Sequence, residues 1–191
     1  MKAVLISIQP KWCELIAIGK KKVEVRKTKP KLETPFKVYI YETKDKNFEN
    51  IGIHWADGKD FVHNIGKVIG EFVCDKVDRI AHCGTCNSDI RLNLVDKNLY
   101  CKELDYEYLN KCKLSYFDID EYSNGGDVYG WHISDLVIYD EPKDLNEFKH
   151  WKKFDWWDYG HHTNKPQWEW RSIERPPQSW CYVERSDNNA E

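Results

Sequence analysis

The chain has 191 residues, of which 41% are hydrophobic, including 9 Trp and 11 Tyr; this supports one folded domain and excludes wholesale disorder. The net charge of −3 gives no overall signal for nucleic acid. Residues 1–40, however, contain ten Lys or Arg and three Glu and so carry +7, which indicates an anionic partner at this end only.

The first apolar run covers only residues 3–8, which is too short for a signal peptide or a membrane span. We therefore expect a cytoplasmic protein without membrane attachment. Seven Cys is an odd number, and no export signal accompanies them, so we expect reduced thiols rather than a disulfide framework.

The predicted elements begin with a buried strand over residues 3–8. A helix follows from Pro10, a residue suited to the first helical position, and Gly19 ends it. Residues 23–26 alternate apolar and charged side chains, which predicts a half-buried strand. Residues 36–41 and 66–77 predict two further strands, with Gly70 marking a bend or bulge in the second.

The second half of the chain is less regular. Ser115 and Asp118 resemble a capping box that opens a short helix ending near Asn124. Residues 129–139 predict a strong strand that Pro142 ends. We divide the chain into a main unit at 1–149 with an excursion at about 79–127, a Trp-rich loop at 150–174, a closing strand at 175–185 and a disordered tail at 186–191.

Five or six strands with few helices favour an α+β fold, built as a small, mostly antiparallel β-barrel. One helix lies between the first two strands, and a few short helices are peripheral.

Five stretches together resemble the ASCH domain family of bacteria and their phages, which belongs to the PUA-like superfamily. They are residues 7–12 (SIQPKW), 19–26 (GKKKVEVR), 66–72 (GKVIGEF), 129–136 (YGWHISDL) and 175–184 (RPPQSWCYVE). The resemblance implies a PUA-like barrel with a cleft beside the first helix. It also implies recognition of RNA, a modified base or a nucleotide.

Some small members of this family are similar to amidohydrolases that remove acyl groups from acetylcytidine. They use a Lys, a Thr three residues later and a carboxylate elsewhere. Lys21 matches the Lys, but Glu24 stands where the Thr is expected. If the protein is an enzyme, the resemblance makes Lys21 the base or nucleophile, assisted by Glu24 or Glu71.

For binding, Lys21, Glu24 and Arg26 are the leading candidates. Arg26 can clamp a phosphate or stack on a base, and Glu24 can accept a hydrogen bond from a base amino group. The alternative is a solvated strand with a surface Glu24–Arg26 pair of little energetic value.

Gln9, Trp12 and Trp131 complete the candidate ligand-binding set. Gln9 can read a base edge or cap the helix that follows it. Trp12 and Trp131 can each stack on a base or belong to the core, and the face that Trp131 shares with Ile133 favours the core.

Cys83 and Cys86 have the spacing of half a zinc site, but no second pair of ligands follows at a regular spacing. We favour no cofactor and no metal, with zinc as the alternative at this pair.

The Trp-rich segment mixes aromatic and basic residues, a combination that suits a stacking platform for single-stranded nucleic acid. We favour packing of its Trp side chains over a barrel face.

The favoured interpretation is therefore binding of RNA, a modified base or a nucleotide. An amidohydrolase of acylated cytidine is the first alternative. A protein-interaction module that uses the Trp-rich segment is the second. The oligomeric state is left open.

Overall fold

The computed structural model describes residues 2–44, 61–84, 91–154 and 167–184. The helices in these ranges are α1 (Pro10–Ala17), α2 (Tyr106–Cys112), α3 (Tyr116–Ser123) and a 3-10 helix (Leu145–Glu147). The strands are β1 (Lys2–Ile8), β2 (Val23–Arg26), β3 (Phe36–Glu42), β4 (Val68–Cys74), β5 (Val77–Cys83), β6 (Arg91–Val95), β7 (Cys101–Glu103), β8 (Val128–His132), β9 (Ser134–Lys143), β10 (Lys149–Phe154), β11 (Gln167–Ser172) and β12 (Trp180–Glu184).

The strands form two sheets. A seven-stranded sheet has the order β11-β10-β12-β1-β3-β4-β9, and a five-stranded sheet has the order β2-β8-β5-β6-β7. β1 and β3 are parallel, and the other pairs are antiparallel. The α+β class and the helix between the first two strands are confirmed. The closed barrel is wrong, because neither sheet closes on itself within the described ranges.

The chain crosses between the two sheets inside the predicted strand 129–139. β8 belongs to the five-stranded sheet and β9 to the seven-stranded sheet, and Asp135 near the junction has φ +46°. β9 then continues through Pro142 to Lys143. Pro142 does not end the strand because β9 lies at the sheet edge, where a missing N–H is tolerated.

The predicted strand 66–77 also divides, into β4 and the start of β5. At Gly70 the register of β4 against both β3 and β9 shifts, which confirms the predicted irregularity. A Cβ at this position would meet the carbonyl of Val137, so the glycine permits the close approach of β9.

Three hydrophobic clusters hold the layers together. The first packs one face of the seven-stranded sheet against α1 and Trp131 of β8. The second packs the five-stranded sheet, including Val23 and Val25, against α2 and α3. The third covers the opposite face of the seven-stranded sheet with Phe148 and Ile173. β2 therefore has α2 and α3 on one side and the space between the sheets on the other.

Residues 79–127 supply β6, β7, α2, α3 and most of β5, and they complete the five-stranded sheet and its cover. The predicted capping box at Ser115 is confirmed, and Asn124 is the left-handed C-cap of α3. Cys83 and Cys101 form a disulfide with a Cα–Cα separation of 6.7 Å. The expectation of reduced thiols is wrong for this pair, because the pairing of β5, β6 and β7 brings the two residues together.

The Trp-rich segment is not simply a loop. Residues 149–154 and 167–172 are the antiparallel strands β10 and β11, and β10 pairs with β12. The predicted closing strand is observed as β12, paired with β1. The tail at 186–191 lies outside the described residues. None of the helices in the described ranges is long and apolar enough to cross a membrane.

Candidate functional site between helix α1 and strand β2

The turn after α1 places Lys21 at the site. Gly19 has φ +74°, a left-handed conformation that glycine adopts without steric cost, and it follows the C-cap residue Ile18. The backbone N–H groups of Lys20 and Lys21 then both donate to the carbonyl of Leu15. This tight reversal directs the Lys21 side chain back toward α1 and α2 instead of into solvent.

Lys21, Glu24 and Arg26 form a continuous buried group. Lys21 Nζ lies 3.4 Å from Glu24 Oε2, and Arg26 Nη2 lies 3.0 Å from Glu24 Oε1. Lys21 also donates to the carbonyl of Cys112 at 2.5 Å, and Arg26 donates to that of Ser7 at 2.6 Å. The three residues are 3, 6 and 9% exposed, so the surface-pair alternative is wrong. The two cations share one anion, which leaves the group with one positive charge.

A cavity of about 510 Å³ opens beside this group. This volume lies within the range of small-molecule sites in proteins. It is lined by Ser7, Gln9, Trp12, Lys21, Glu24, Val25, Arg26, Thr43, Leu114, Asp118, Tyr122 and Gln178. The structure therefore brings five of the predicted residues, Gln9, Trp12, Lys21, Glu24 and Arg26, to one cavity.

The guanidinium of Arg26 is only partly satisfied. Its Nε is buried and makes no hydrogen bond to the described residues, which costs about 1–3 kcal/mol. Nε itself has almost no accessible surface, so a ligand would contact the 11% of the Arg26 side chain that stays exposed in the cavity lining. Arg26 is thus a candidate for a direct ligand contact.

Gln9 and Trp12 lie on the α1 side of the cavity. Gln9 precedes Pro10 and makes no side-chain capping hydrogen bond, so its exposed amide lines the cavity without serving the helix. The Trp12 ring is half-buried, with Lys11 Nζ and Lys21 Nζ at 4.7 and 4.8 Å from its centroid. Part of this ring is therefore already occupied by cation–π contacts.

Trp131 and Glu71 are placed elsewhere. Trp131 is fully buried in the first hydrophobic cluster, edge-on to Phe36 at 5.7 Å, and does not line the cavity. Glu71 accepts from Lys37 at 2.8 Å and from the Tyr139 hydroxyl at 2.6 Å. Burial raises the pKa of Glu71, but these two hydrogen bonds outweigh it and the net pKa is lowered. Glu71 is thus an anion in a separate polar cluster.

Several lining residues were missed by the sequence analysis. Thr43 follows β3, Leu114 lies between α2 and α3, Asp118 and Tyr122 lie on α3, and Gln178 precedes β12. The capping box at Ser115 was the available signal for α3. Nothing local in the sequence indicated that α3 or residue 178 would face the turn after α1.

Two cysteines flank the site. Burial raises the pKa of the Cys112 thiol to about 12, even though the Lys21 ammonium lowers it. Burial also raises the pKa of Cys13 well above its usual value, as do the carboxylates of Glu42 and Glu24. Both thiols are therefore protonated at neutral pH, and neither is suited to be a nucleophile.

For the zinc alternative, Cys83 is engaged in the disulfide with Cys101 and in that state offers no thiolate to a metal. Cys86 lies outside the described residues. Within the ranges that the structure describes, no three His, Cys, Asp or Glu side chains are grouped so as to hold a metal ion.

The fold agrees with the comparisons to known proteins. The model of the ASCH domain matches residues 6–133, and the chain belongs to that family, whose fold is PUA-like. No curated protein matches the chain.

Two solved structures of the ASCH protein from Zymomonas mobilis are similar in fold. A serine-to-alanine variant is 16% identical, with a TM-score of 0.52 over 96% of this chain and 89% of that one. The unsubstituted protein is also 16% identical, with a TM-score of 0.50 over 96% and 88% of the two chains.

Proposed function

We propose that the cavity beside α1 binds a nucleotide or modified base, either free or as part of an RNA chain. The observation that carries the proposal is the convergence of the paired Lys21, Glu24 and Arg26 on one cavity that Gln9 and Trp12 also line. RNA association is general in the ASCH family, and the +7 charge of residues 1–40 favours an anionic ligand here.

The hydrogen-bonding capacity of the site suits such a ligand. The Lys21 ammonium has three donors, of which one is used on the carbonyl of Cys112, and it also forms an ion pair with Glu24 at 3.4 Å. Glu24 has about four lone-pair directions, and Lys21 and Arg26 lie within ion-pair distance of its two oxygens. Phosphate or carbonyl oxygens would be bound by Arg26 and Lys21, and base amino groups would donate to Glu24 or Gln9. The half-buried Trp12 and the exposed Tyr122 supply the aromatic walls.

The substitution Arg26→Lys tests this assignment. It keeps the positive charge but removes the planar donors, so affinity for single-stranded RNA should fall about tenfold or more, as measured by fluorescence anisotropy. Lys22→Ala is the matched control, because Lys22 is exposed, adjacent in sequence and outside the cavity lining. Equal losses of RNA affinity in the two variants, or no loss in Arg26→Lys, would show that the RNA does not bind in the cavity.

Hydrolysis of an acylated cytidine is the second candidate. It is favoured by the buried Lys21–Glu24 pair at 3.4 Å and by Thr43, whose side chain brings a hydroxyl to the cavity lining from a different element. Water would add to the acyl carbonyl and cytidine would leave as the amine. Acetylcytidine should then yield cytidine and acetate, and Lys21→Ala and Thr43→Val should each reduce the rate. If the wild type releases no cytidine, this candidate is wrong and the binding proposal is unaffected.

A further inference from the structure

A row of tryptophans on the β10–β11 hairpin is not used by the cavity. Trp151 is paired across the strands with Trp170, and Trp168 lies two residues from Trp170 on β11, so the three occupy one face. Trp151 and Trp168 are 43 and 51% exposed, and the Trp151 and Trp170 rings lie 5.2 Å apart. The sequence analysis favoured packing of the Trp side chains over a barrel face, and about half of each of these two side chains remains exposed.

These three residues, the Trp stripe, lie on the side of the sheet that leads to the cavity. His150 is paired with Val183 of β12, so these two side chains lie on the same face of the sheet. Val183 packs in the third cluster, which covers the face away from the space between the sheets. By strand alternation, Trp151 therefore shares its face with Tyr182. Tyr182 and Trp180 pack against the first hydrophobic cluster, between the sheets.

A basic loop, residues 27–31, lies between the cavity and the Trp stripe. Lys27, Lys29 and Lys31 are exposed, and residues 27–31 contain no acidic residue. At one end, Lys27 Nζ lies 5.1 Å from the ring centroid of Tyr122, which lines the cavity.

At its other end, the basic loop contacts β12. Trp180 Nε1 donates to Thr28 Oγ1 at 3.0 Å, and the backbone N–H of Lys31 donates to the Tyr182 hydroxyl at 2.7 Å. The loop therefore runs from the rim of the cavity to the strand beside the hairpin.

We propose that the Trp stripe binds single-stranded RNA that flanks the nucleotide held in the cavity, with the phosphates between them crossing the 27–31 loop. This inference rests on the proposed function and extends it from one nucleotide to a strand. The described strands of the hairpin, 149–154 and 167–172, contain four Lys or Arg and one acidic residue, so their charge is complementary to RNA.

The spacing of the stripe suits stacking. Side chains two residues apart on a strand are about 6.7 Å apart, close to two base steps of 3.4 Å, and an aromatic face accepts any base. Duplex RNA hides its base faces in the stacked helix and does not offer this contact.

The test compares Trp151→Ala/Trp168→Ala with Tyr100→Ala, a control that removes an exposed aromatic from the region between β6 and β7. The probe is a fluorescent, random-sequence single-stranded RNA of about 10 nucleotides, within the site sizes of single-strand binders. The double variant should bind at least about tenfold more weakly, with an unchanged salt dependence, since stacking releases no counterions. Trp151→Phe/Trp168→Phe should retain most of the affinity, and Tyr100→Ala all of it.

The outcomes separate the two proposals. Binding that depends on Arg26 but not on the stripe overturns this inference and leaves the proposed function intact. No binding of RNA or mononucleotide by the wild type overturns both. Equal affinity for a duplex of the same length overturns single-strand stacking. Concentration-dependent self-association that the double variant abolishes, with unchanged RNA affinity, would assign the stripe to a second copy of this chain.

Discussion

Glu24 lies between two buried cations, and this position gives it a structural role as well as a place in the cavity. Its carboxylate is 3.4 Å from Lys21 Nζ and 3.0 Å from Arg26 Nη2, and burial of all three side chains reduces the screening of these charges by water. Removing one member of a buried ion group leaves the remaining charges uncompensated. A Thr at position 24 would provide a hydroxyl but would not neutralise either cation.

Glu24→Gln is therefore expected to reduce the free energy of unfolding by about 3 kcal/mol, measured by urea denaturation at neutral pH. Glu33→Gln is the control, because Glu33 is exposed in the loop before β3 and its loss should change stability by less than about 0.5 kcal/mol. Equal stability of wild type and Glu24→Gln would show that the buried ion group is not maintained in solution.

Glu71 stabilises the fold and does not line the cavity, and the pH dependence of stability tests this role. The hydrogen bonds from Lys37 and Tyr139 lower its pKa despite burial, so ionised Glu71 stabilises the fold at pH above its ordinary value of 4.5. This contribution is lost as pH falls from 4.5 through the lowered pKa, because over this range the unfolded state takes up the proton more readily than the folded state.

The variant Glu71→Gln should accordingly be less stable than wild type by about 1 kcal/mol at neutral pH, and the difference should shrink as the pH falls below 4.5. Thermal unfolding of both proteins across this pH range measures the difference in stability. The RNA affinity of Glu71→Gln should equal that of wild type, and a loss of affinity would show that Glu71 contributes to RNA binding.

At the scale of the element, the turn between α1 and β2 is the feature that builds the site. The helix and its N-cap supply Trp12 and Gln9, the strand supplies Glu24 and Arg26, and the left-handed Gly19 sets the angle between them. A Cβ at Gly19 would meet no atom within 4 Å, so any cost of substitution comes from the backbone conformation alone.

Gly19→Ala is expected to lower the free energy of unfolding by about 1 kcal/mol and to weaken RNA binding, because the strained turn shifts Lys21. Gly19→Asn, which tolerates the left-handed region, should be milder in both measurements. If Gly19→Ala has wild-type stability, the turn does not have this conformation.

At the scale of the whole molecule, the charge is divided between a basic amino-terminal part and an acidic remainder. The 27–31 loop and the Lys21 and Arg26 side of the cavity belong to the basic part, so the field that attracts a polyanion is local. RNA affinity should decrease as salt increases, with a slope set by the number of phosphates contacted.

Neutralising one contacting cation should reduce that slope by about 0.7, the value for single strands. Lys27→Gln, at the rim of the cavity, should show this reduction, whereas Lys97→Gln, exposed in the acidic part between β6 and β7, should not. Identical slopes for both variants would place the RNA elsewhere on the protein.

Patterns local in sequence were sufficient to predict the elements around the site. Alternation correctly placed Val23 and Val25 in the core and Glu24 and Arg26 on the other face of β2. Contacts distant in sequence could not be predicted in this way. Thr43, Tyr122 and Gln178 reach the cavity only because the sheets bring together elements far apart in the chain.

The closed barrel was wrong for the same reason. Residues 129–139 were predicted as one strand, but they belong to two, β8 and β9, because periodicity cannot distinguish one strand in one sheet from two strands in two sheets.

The most direct test of the central claim is a crystal structure of the protein with a short single-stranded RNA bound. We expect one nucleotide in the cavity beside α1, with a phosphate or base oxygen within about 3 Å of a guanidinium nitrogen of Arg26 and its polar edge toward Glu24. A nucleotide bound outside this cavity, without contact to Arg26, would contradict the account.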